Sequence, residues 1–394
     1  MSVEKLSPVP NTPQANTHLG ISSRDLKIKS GSLHIHTAFD LGFEIRPSKL
    51  IEIVSRQWKD MAVKFRPVSQ SINRSLEPIR IGLQPIEFEI FNRPKAFQVF
   101  ATFFEVGALS LEFIAPLDGS FDELPRYAEE LENSPSLIAG ATKAAEEIFR
   151  VIRPAIVNPE FYRNPSSHFV FAIHEMNRSL SFSETQEILG REIAKTLKAS
   201  NEPIGANETK RTLQQVVTYS DNDIVFISSL SGIIFDEDPD ETIDILELAN
   251  VQILELRFID ARLDRALLSL YEEETSKRTG FWKSLMSIFS KGSSEISAKR
   301  LNMIHLDSVL IAERVEQSFK LASDNYLAQI HELAVSAMLL RAFTKGIERK
   351  LGNLRDIVND IQGRQSGSRM ELLEWIIIIL ILIGTLPTLA AFKF

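Results

Sequence analysis

The feature that most limits how this chain can fold is an uncharged apolar run near its C-terminus. From Trp375 to Phe392 the sequence reads WIIIILILIGTLPTLAAF, about 18 residues, and a helix of roughly 17–25 such residues spans a bilayer. The run has no polar face, whereas a soluble helix normally keeps one side for water. We therefore predict a transmembrane helix over residues 372–392, with a membrane anchor formed by Trp375, Ile376, Ile379, Ile383 and Leu386.

The charges that flank this run predict how the protein is oriented. Arg364 and Arg369 precede the run and Lys393 follows it. This distribution favours a single-pass protein whose bulk lies on the cytoplasmic side in a bacterium or on the matrix side in a mitochondrion. The alternative is a buried core helix or a peripheral hairpin, which Gly384 and Pro387 would permit.

Composition excludes several classes of function. The 394 residues include 52 acidic and 44 basic side chains, and a net charge of -8 provides no electrostatic footprint for a phosphate backbone. Nucleic-acid binding is therefore not expected. With no cysteine, the chain has no disulfide, thiolate nucleophile or cysteine-ligated metal. Residues 1–29 are polar and lack an apolar run, so we predict a disordered lead and not a secretory signal.

Residues 30–236 alternate between strand and helix patterns, which predicts an α+β domain rich in antiparallel sheet. Apolar and polar residues alternate from Ser32 to Ile45 with the period of a half-buried strand. The stretch from Phe97 to Ile114 predicts two strands joined by a turn, and the stretch from Val216 to Leu230 predicts a hairpin. A helical run is expected from Phe121 to Ile152.

Three polar signatures predict where helices begin. Ser120 with Glu123 and Ser183 with Gln186 have the spacing of a capping box, in which each side chain accepts a backbone hydrogen bond from the other end of the first turn. Asp238, which precedes a proline and two acidic residues, predicts the N-cap of a third helix.

Residues 237–365 predict a long helical segment. Apolar residues recur there at steps of three and four, which is typical of amphipathic helices. Two such helices in succession favour an antiparallel helical hairpin. Residues 279–300 are predicted to form an amphipathic segment at its turn.

The helical segment also presents apolar side chains that predict contacts. Leu254 and Phe258 belong to a second stripe on the first helix, and a single neighbouring helix covers only one stripe, so the second meets either the α+β domain or another chain. Phe281, Trp282 and Phe289 share one face, as in a helix at a membrane interface, although packing within the protein is equally compatible. These residues are predicted to mediate self-association or docking of an unidentified protein partner.

The sequence contains one candidate for a metal-binding site. No complete phosphate loop, two-histidine zinc helix or serine elbow is present. The string that begins at His331 and Glu332 has Val335 where a zinc helix needs its second histidine. His34 and His36 project from the same face of a strand, as two metal ligands could, but the other ligands would have to come from elsewhere, and a polar strand face is the favoured interpretation. No cofactor is expected.

Seven carboxylates between Asp236 and Glu247 follow one another without an intervening cation. They could form a divalent-metal site or a site for a basic partner, but no calcium-loop spacing is present. Carboxylates also stabilise the N-terminus of a helix, and that interpretation accounts for most of them.

Two stretches resemble the required-for-meiotic-nuclear-division family. They are LEWIIIILILI at Leu373 to Ile383, and NDIVFISSLSGIIFDED at Asn222 to Asp238, which is followed by the helical stretch Ile245 to Asp264. The resemblance implies a membrane-anchored, self-associating scaffold with no established catalytic residues. Eukaryotic members of that family lie in the mitochondrial inner membrane and support translation there.

The sequence thus predicts a non-enzymatic scaffold or interaction protein that is tied to membrane lipid and self-associates through its helical segment. The alternative is a membrane-anchored enzyme with an unrecognised site in the α+β domain. A place where polar side chains converge within that domain would favour the enzyme.

Overall fold

The structure is a computed structural model. It describes residues 22–57, 78–220, 223–277, 309 and 325–357. Within these ranges, no helix is both long enough and apolar enough to cross a membrane.

Several sequence predictions lie outside the described residues and stay predictions. They include the span at 372–392 and the amphipathic segment at 279–300. The side chains concerned are Trp375, Ile376, Ile379, Ile383 and Leu386 of the anchor and Phe281, Trp282 and Phe289 of the amphipathic segment.

The α+β class is confirmed, because one large and mostly antiparallel sheet forms the centre of the fold. Its strand order is β3-β4-β5-β1-β8-β11-β10-β9, with β6 paired to β1, and of these pairings only β8 with β11 is parallel. A separate two-stranded sheet joins β2 to β7. The strands are β1 (Lys27–Asp40), β2 (Gly42–Ile45), β3 (Ile79–Ile90), β4 (Arg93–Phe103), β5 (Ala108–Pro116), β6 (Gly119–Ser120), β7 (Ile156–Pro159), β8 (Ser166–Met176), β9 (Val216–Thr218), β10 (Ile224–Ile227) and β11 (Ser231–Phe235).

Helices cover both faces of the large sheet. The first four pack with one apolar cluster, and the last three pack with a second cluster on the opposite face. The helices are α1 (Pro47–Gln57), α2 (Leu124–Glu132), α3 (Pro135–Ile152), α4 (Phe182–Leu197), α5 (Ala206–Thr212), α6 (Asp240–Lys277), α7 (Asn325–Ala337) and α8 (340–357).

Strand β1 divides its side chains between the two faces, because successive residues of a strand point to opposite sides. Leu33, Ile35 and Phe39 enter the cluster that packs with α1 to α4. His34 and His36 therefore point to the opposite face, where α6 lies against β1, β8 and β5. The strand alternation predicted from Ser32 onward is confirmed, but the polar side is covered by a helix.

One capping box forms two residues before its predicted position. Ser181 and Glu184 cap α4, each accepting a hydrogen bond from the backbone N–H of the other. The pair predicted at Ser183 therefore lies inside the first turn. At Ser120 the hydroxyl donates to Asp122 at 2.6 Å and no side-chain cap forms, so that prediction is wrong.

Among the described residues of the helical segment, α7 and α8 run parallel to α6 and are not the returning arm of an antiparallel hairpin. His331 Nε2 of α7 lies 3.1 Å from Gln252 Oε1 of α6, and further along both helices Lys350 Nζ of α8 donates to Asp260 Oδ1 at 2.7 Å. These contacts advance in the same direction along both helices. Adjacency in sequence therefore did not determine the direction of α7 and α8 relative to α6.

Helix α6 buries both of its apolar stripes within the chain. Leu254 is fully buried and Phe258 packs edge-on to Tyr162, with ring centroids 5.3 Å apart. A helix that lies on a sheet and also contacts α7 meets two neighbours, and these cover both stripes. Of the two alternatives for the second stripe, packing within the chain is the one the structure shows. Leu254 and Phe258 are therefore not available for contact with another chain.

Candidate functional site

The candidate site is a cluster of charged and polar side chains enclosed between α6 and the large sheet. Strand register builds its centre, because His36 of β1 is the cross-strand partner of Glu112 on β5 and of His168 on β8. His34 lies two residues earlier on the same face, and Arg80 enters from β3. All five residues are at least 96% buried.

Two imidazoles converge on one carboxylate oxygen. His34 Nδ1 lies 2.7 Å from Glu112 Oε1, and His36 Nε2 lies 3.4 Å from the same atom. These three potential ligand atoms all lie within 4.8 Å of one another. Two imidazole nitrogens and a carboxylate oxygen form a donor set that divalent transition metals accept.

A buried arginine links the sheet to α6. The Arg80 guanidinium contacts Glu112 Oε2, and it lies 3.5 Å from Asp244 Oδ1 and 3.8 Å from Glu247 Oε2 on the helix. It also stacks over the Phe100 ring, 5.0 Å from the centroid. Charges placed this deep are tolerated only when they are paired, so this network fixes where α6 sits on the sheet.

Burial keeps two of the histidines neutral. Loss of solvation lowers the pKa of His36 to about 4, against an opposing pull from the Glu247 carboxylate. Loss of solvation also lowers the pKa of His168 to about 3. Both values lie well below the ordinary value near 6.5, because a buried imidazolium loses its hydration. At neutral pH each ring keeps a nitrogen lone pair.

A short polar chain connects this centre to the surface. The Ser32 hydroxyl lies 2.8 Å from His34 Nε2 and 3.0 Å from His174 Nε2. His174 is half-buried and lines a cavity of about 160 Å³ beside the start of α6, together with Asp236 and Glu237. The Ser32 contact also fixes the His34 ring so that Nδ1 points toward Glu112.

A second buried pair lies further along the same interface. Asp40 of β1 faces Glu255 of α6, and burial raises the pKa of both carboxyls well above the ordinary range. As two ionised carboxylates they would lack a hydrogen bond to each other, whereas a shared proton lets the Glu255 carboxyl donate to Asp40. Burial therefore favours a state in which the pair shares one proton.

The sequence identified only part of this site. His34 and His36 are brought together as a metal hypothesis requires, and the polar strand face on which they lie is buried under α6. Glu112 and Arg80 were missed because they come from other strands. The available signal was Glu112, a charged residue inside the apolar run LSLEFIA of β5. The alternation pattern alone does not predict that this carboxylate is buried.

Two other sequence candidates have structural roles. Asp244 and Glu247 are buried against Arg80 and hold α6 to the sheet. Stabilisation of the helix N-terminus therefore does not account for these two of the seven carboxylates. The His331 ring contacts Gln252 of α6, and no other metal-ligating side chain among the described residues joins it in a cluster.

Comparison with known proteins identifies a family for the sheet-bearing part of the chain. Residues 30–241 match the family described as "Uncharacterized protein MJ0711, N-terminal domain". A relative described as "Uncharacterized protein MJ0711", from Methanocaldococcus jannaschii, is 26% identical over 228 residues, which is 57% of this chain and 66% of the relative. The match thus spans just under two thirds of that relative's length. No solved structure matches.

The expected membership in the required-for-meiotic-nuclear-division family is wrong. The stretch from Asn222 to Asp238 lies within the residues that match the MJ0711 domain. A strand pair that leads into an amphipathic helix is a common arrangement, so this stretch is a weak family marker. The stretch from Leu373 to Ile383 lies outside the described residues.

Proposed function

We propose that this chain, which belongs to the MJ0711 N-terminal domain family, is a membrane-tethered interaction protein without catalytic activity. The observation that carries the proposal is the closure of its polar centre. His36, Glu112 and Arg80 are each at most 2% exposed, and α6 lies across them. A substrate would reach these groups only if a long helix left the sheet.

The energetics of α6 support a fixed position for this helix. Its apolar side chains belong to a buried cluster shared with β8, β10 and α7, and its carboxylates contact Arg80. Displacing α6 would expose that cluster and would also leave the Arg80 charge without partners from the helix. The buried charges thus specify how the helix docks on the sheet. The membrane anchor that we propose is the apolar run at 372–392.

A second candidate function is that of a membrane-anchored enzyme. It is favoured by the convergence of His34, His36, Glu112 and Arg80, because perturbed titratable groups cluster at active sites. The enclosure of the same groups favours the interaction protein, since catalysis needs access to the reacting atoms.

Removal of residues 374–394 is expected to release the protein from membranes. The full chain should sediment with membranes and resist carbonate extraction, whereas the shortened chain should remain in the supernatant, because the deleted run is the proposed anchor. The measurement is fractionation followed by immunoblotting. Ile379→Arg in the full chain should also weaken membrane association, because one charge at the centre of a span disfavours insertion. This variant separates loss of the anchor from shortening of the protein.

The folded state of the shortened chain is checked by comparing its urea unfolding midpoint with that of the full chain. Carbonate-resistant membrane association of a shortened chain that is still folded would contradict the anchor.

Self-association is expected for the full chain in mild detergent, where light scattering should give a mass above that of one chain. Leu254 and Phe258 are buried within the chain, so the contact must use other surfaces. Among the described residues of this layer, Leu268 on α6 and Leu339 at the turn before α8 are 58% and 59% exposed, and we propose that they meet a second copy. Their joint replacement by Asp should yield a folded monomer, whereas a monomeric wild-type protein would contradict self-association.

A further inference from the structure

We infer that His34, His36 and Glu112 form a binding site for one divalent transition-metal ion, with zinc as the ion to test, and that this ion locks α6 to the sheet. The inference goes beyond the proposed membrane-tethered function and does not depend on it. A metal centre of this kind would be structural, because His36 and Glu112 are fully buried and α6 lies across them.

The placement of the ligand atoms supports this inference. Zinc binds imidazole nitrogen and carboxylate oxygen at roughly 2.0–2.2 Å, so its ligands lie roughly 3–3.5 Å apart. His36 Nε2 and Glu112 Oε1 are already 3.4 Å apart, and His34 Nδ1 lies 2.7 Å from the same oxygen. A small rotation of the His34 side chain would admit the ion between the three atoms.

The surrounding contacts orient these ligands as the second shell of a metal site does. Ser32 holds His34 through its Nε2, which leaves Nδ1 directed at Glu112. Arg80 contacts Glu112 through Oε2, which leaves Oε1 for the ion. Such contacts fix ring orientation and carboxylate direction, and their loss typically weakens metal binding by roughly 10–100-fold.

Helix α6 carries the residue that would complete the ligand set. Glu247 is 96% buried, and among the described residues its Oε1 has no hydrogen-bond partner. A buried acceptor without a donor is costly, and coordination of a cation removes that cost. Because Glu247 belongs to α6 and the other ligands belong to the sheet, one ion would join the two layers.

A proton between His34 Nδ1 and Glu112 Oε1 is the alternative to a metal ion. A hydrogen bond from His34 Nδ1 to Glu112 would explain the 2.7 Å distance without a metal. That hydrogen bond would still leave Glu247 Oε1 without a hydrogen-bond partner among the described residues. Both Glu112 and Glu247 share the single Arg80 guanidinium, so a dication would also reduce the repulsion between the two carboxylates.

The experiment is refolding of the full chain in mild detergent. The protein is unfolded in urea with a chelator, refolded with or without Zn²⁺, desalted, and measured for zinc content and thermal melting. We expect about one zinc per chain and a melting temperature raised by about 5 °C or more. Protein refolded with Co²⁺ should show the visible absorption bands of a four-coordinate ion with nitrogen and oxygen ligands.

His36→Gln and Glu247→Gln should each lower zinc retention at least about tenfold. His331→Gln is the matched control, because it removes a half-buried histidine on the same side of the sheet and should retain zinc. Wild-type protein that holds no zinc after desalting would overturn the inference, and so would equal retention by His36→Gln. If the variants fail to fold, the absence of cobalt bands in wild-type protein overturns it.

Discussion

Replacing Arg80 with methionine is expected to lower the free energy of unfolding by about 3–5 kcal/mol. The guanidinium contacts carboxylates from β5 and α6, and its side chain is only 2% exposed. Removing it would leave Glu112 and Glu247 facing each other without this cation. The measurement is the urea unfolding midpoint of the full chain in mild detergent at neutral pH.

Arg56→Met is the matched control for this prediction. Arg56 pairs with Glu52 one turn earlier on α1, but its side chain is 75% exposed, so its loss should cost at most about 1 kcal/mol. A double variant, Arg80→Met with Glu112→Gln, should recover part of the loss, because it removes one of the carboxylates left behind. Equal effects at Arg80 and Arg56 would show that the buried network does not stabilise the fold.

The sequence predicted those parts of the fold that local periodicity controls. Strand β1, the turn between β4 and β5, and the β9–β10 hairpin were predicted because alternation and turn residues act over a few positions. The site depends on register between distant strands. His34 and Glu112 are 78 residues apart, and Arg80 and Asp244 are 164 residues apart, so no local pattern could pair them.

The helical segment shows the same limit. Apolar stripes correctly indicated that α6 must pack on neighbours, but they do not say which ones. Helix α6 packs on the sheet because the polar face of the sheet carries partners for Asp244, Glu247 and Asn250. The sequence signal for this pairing is the recurrence of charged or polar residues at every second position in the strands and at every third or fourth position in α6.

The second large effect expected is a loss of stability as pH rises, caused by the Asp40–Glu255 pair. Burial raises the pKa of both carboxyls well above their ordinary range near 4. Between that range and the raised values, the folded state therefore binds more protons than the unfolded state. Stability falls by about 1.4 kcal/mol per pH unit for each such proton, and the fall ends once the folded pair has titrated.

The groups around the pair set how far this effect extends. The Glu160 carboxylate raises the pKa of Asp40 further, while Arg262 and the backbone N–H of Gly42 lower it in part. The Asp40 charge in turn raises the pKa of Glu255, which lies on α6. Ionising both members would place two unscreened negative charges between the helix and the sheet, so alkaline pH should loosen α6 first.

Glu255→Gln tests whether this pair, and not another titrating group, causes the pH dependence of stability. The side-chain amide introduced by this substitution would donate a hydrogen bond to an ionised Asp40 and so replace the shared proton without taking one up. Urea midpoints measured at pH 5, 7 and 9 should fall with pH in the wild-type protein, and the fall should be smaller in the variant. Glu187→Gln, which changes an exposed carboxylate on α4, should reproduce the wild-type slope. Parallel slopes for Glu255→Gln and wild type would mean that Asp40 and Glu255 do not share a proton, and that another group links pH to the docking of α6.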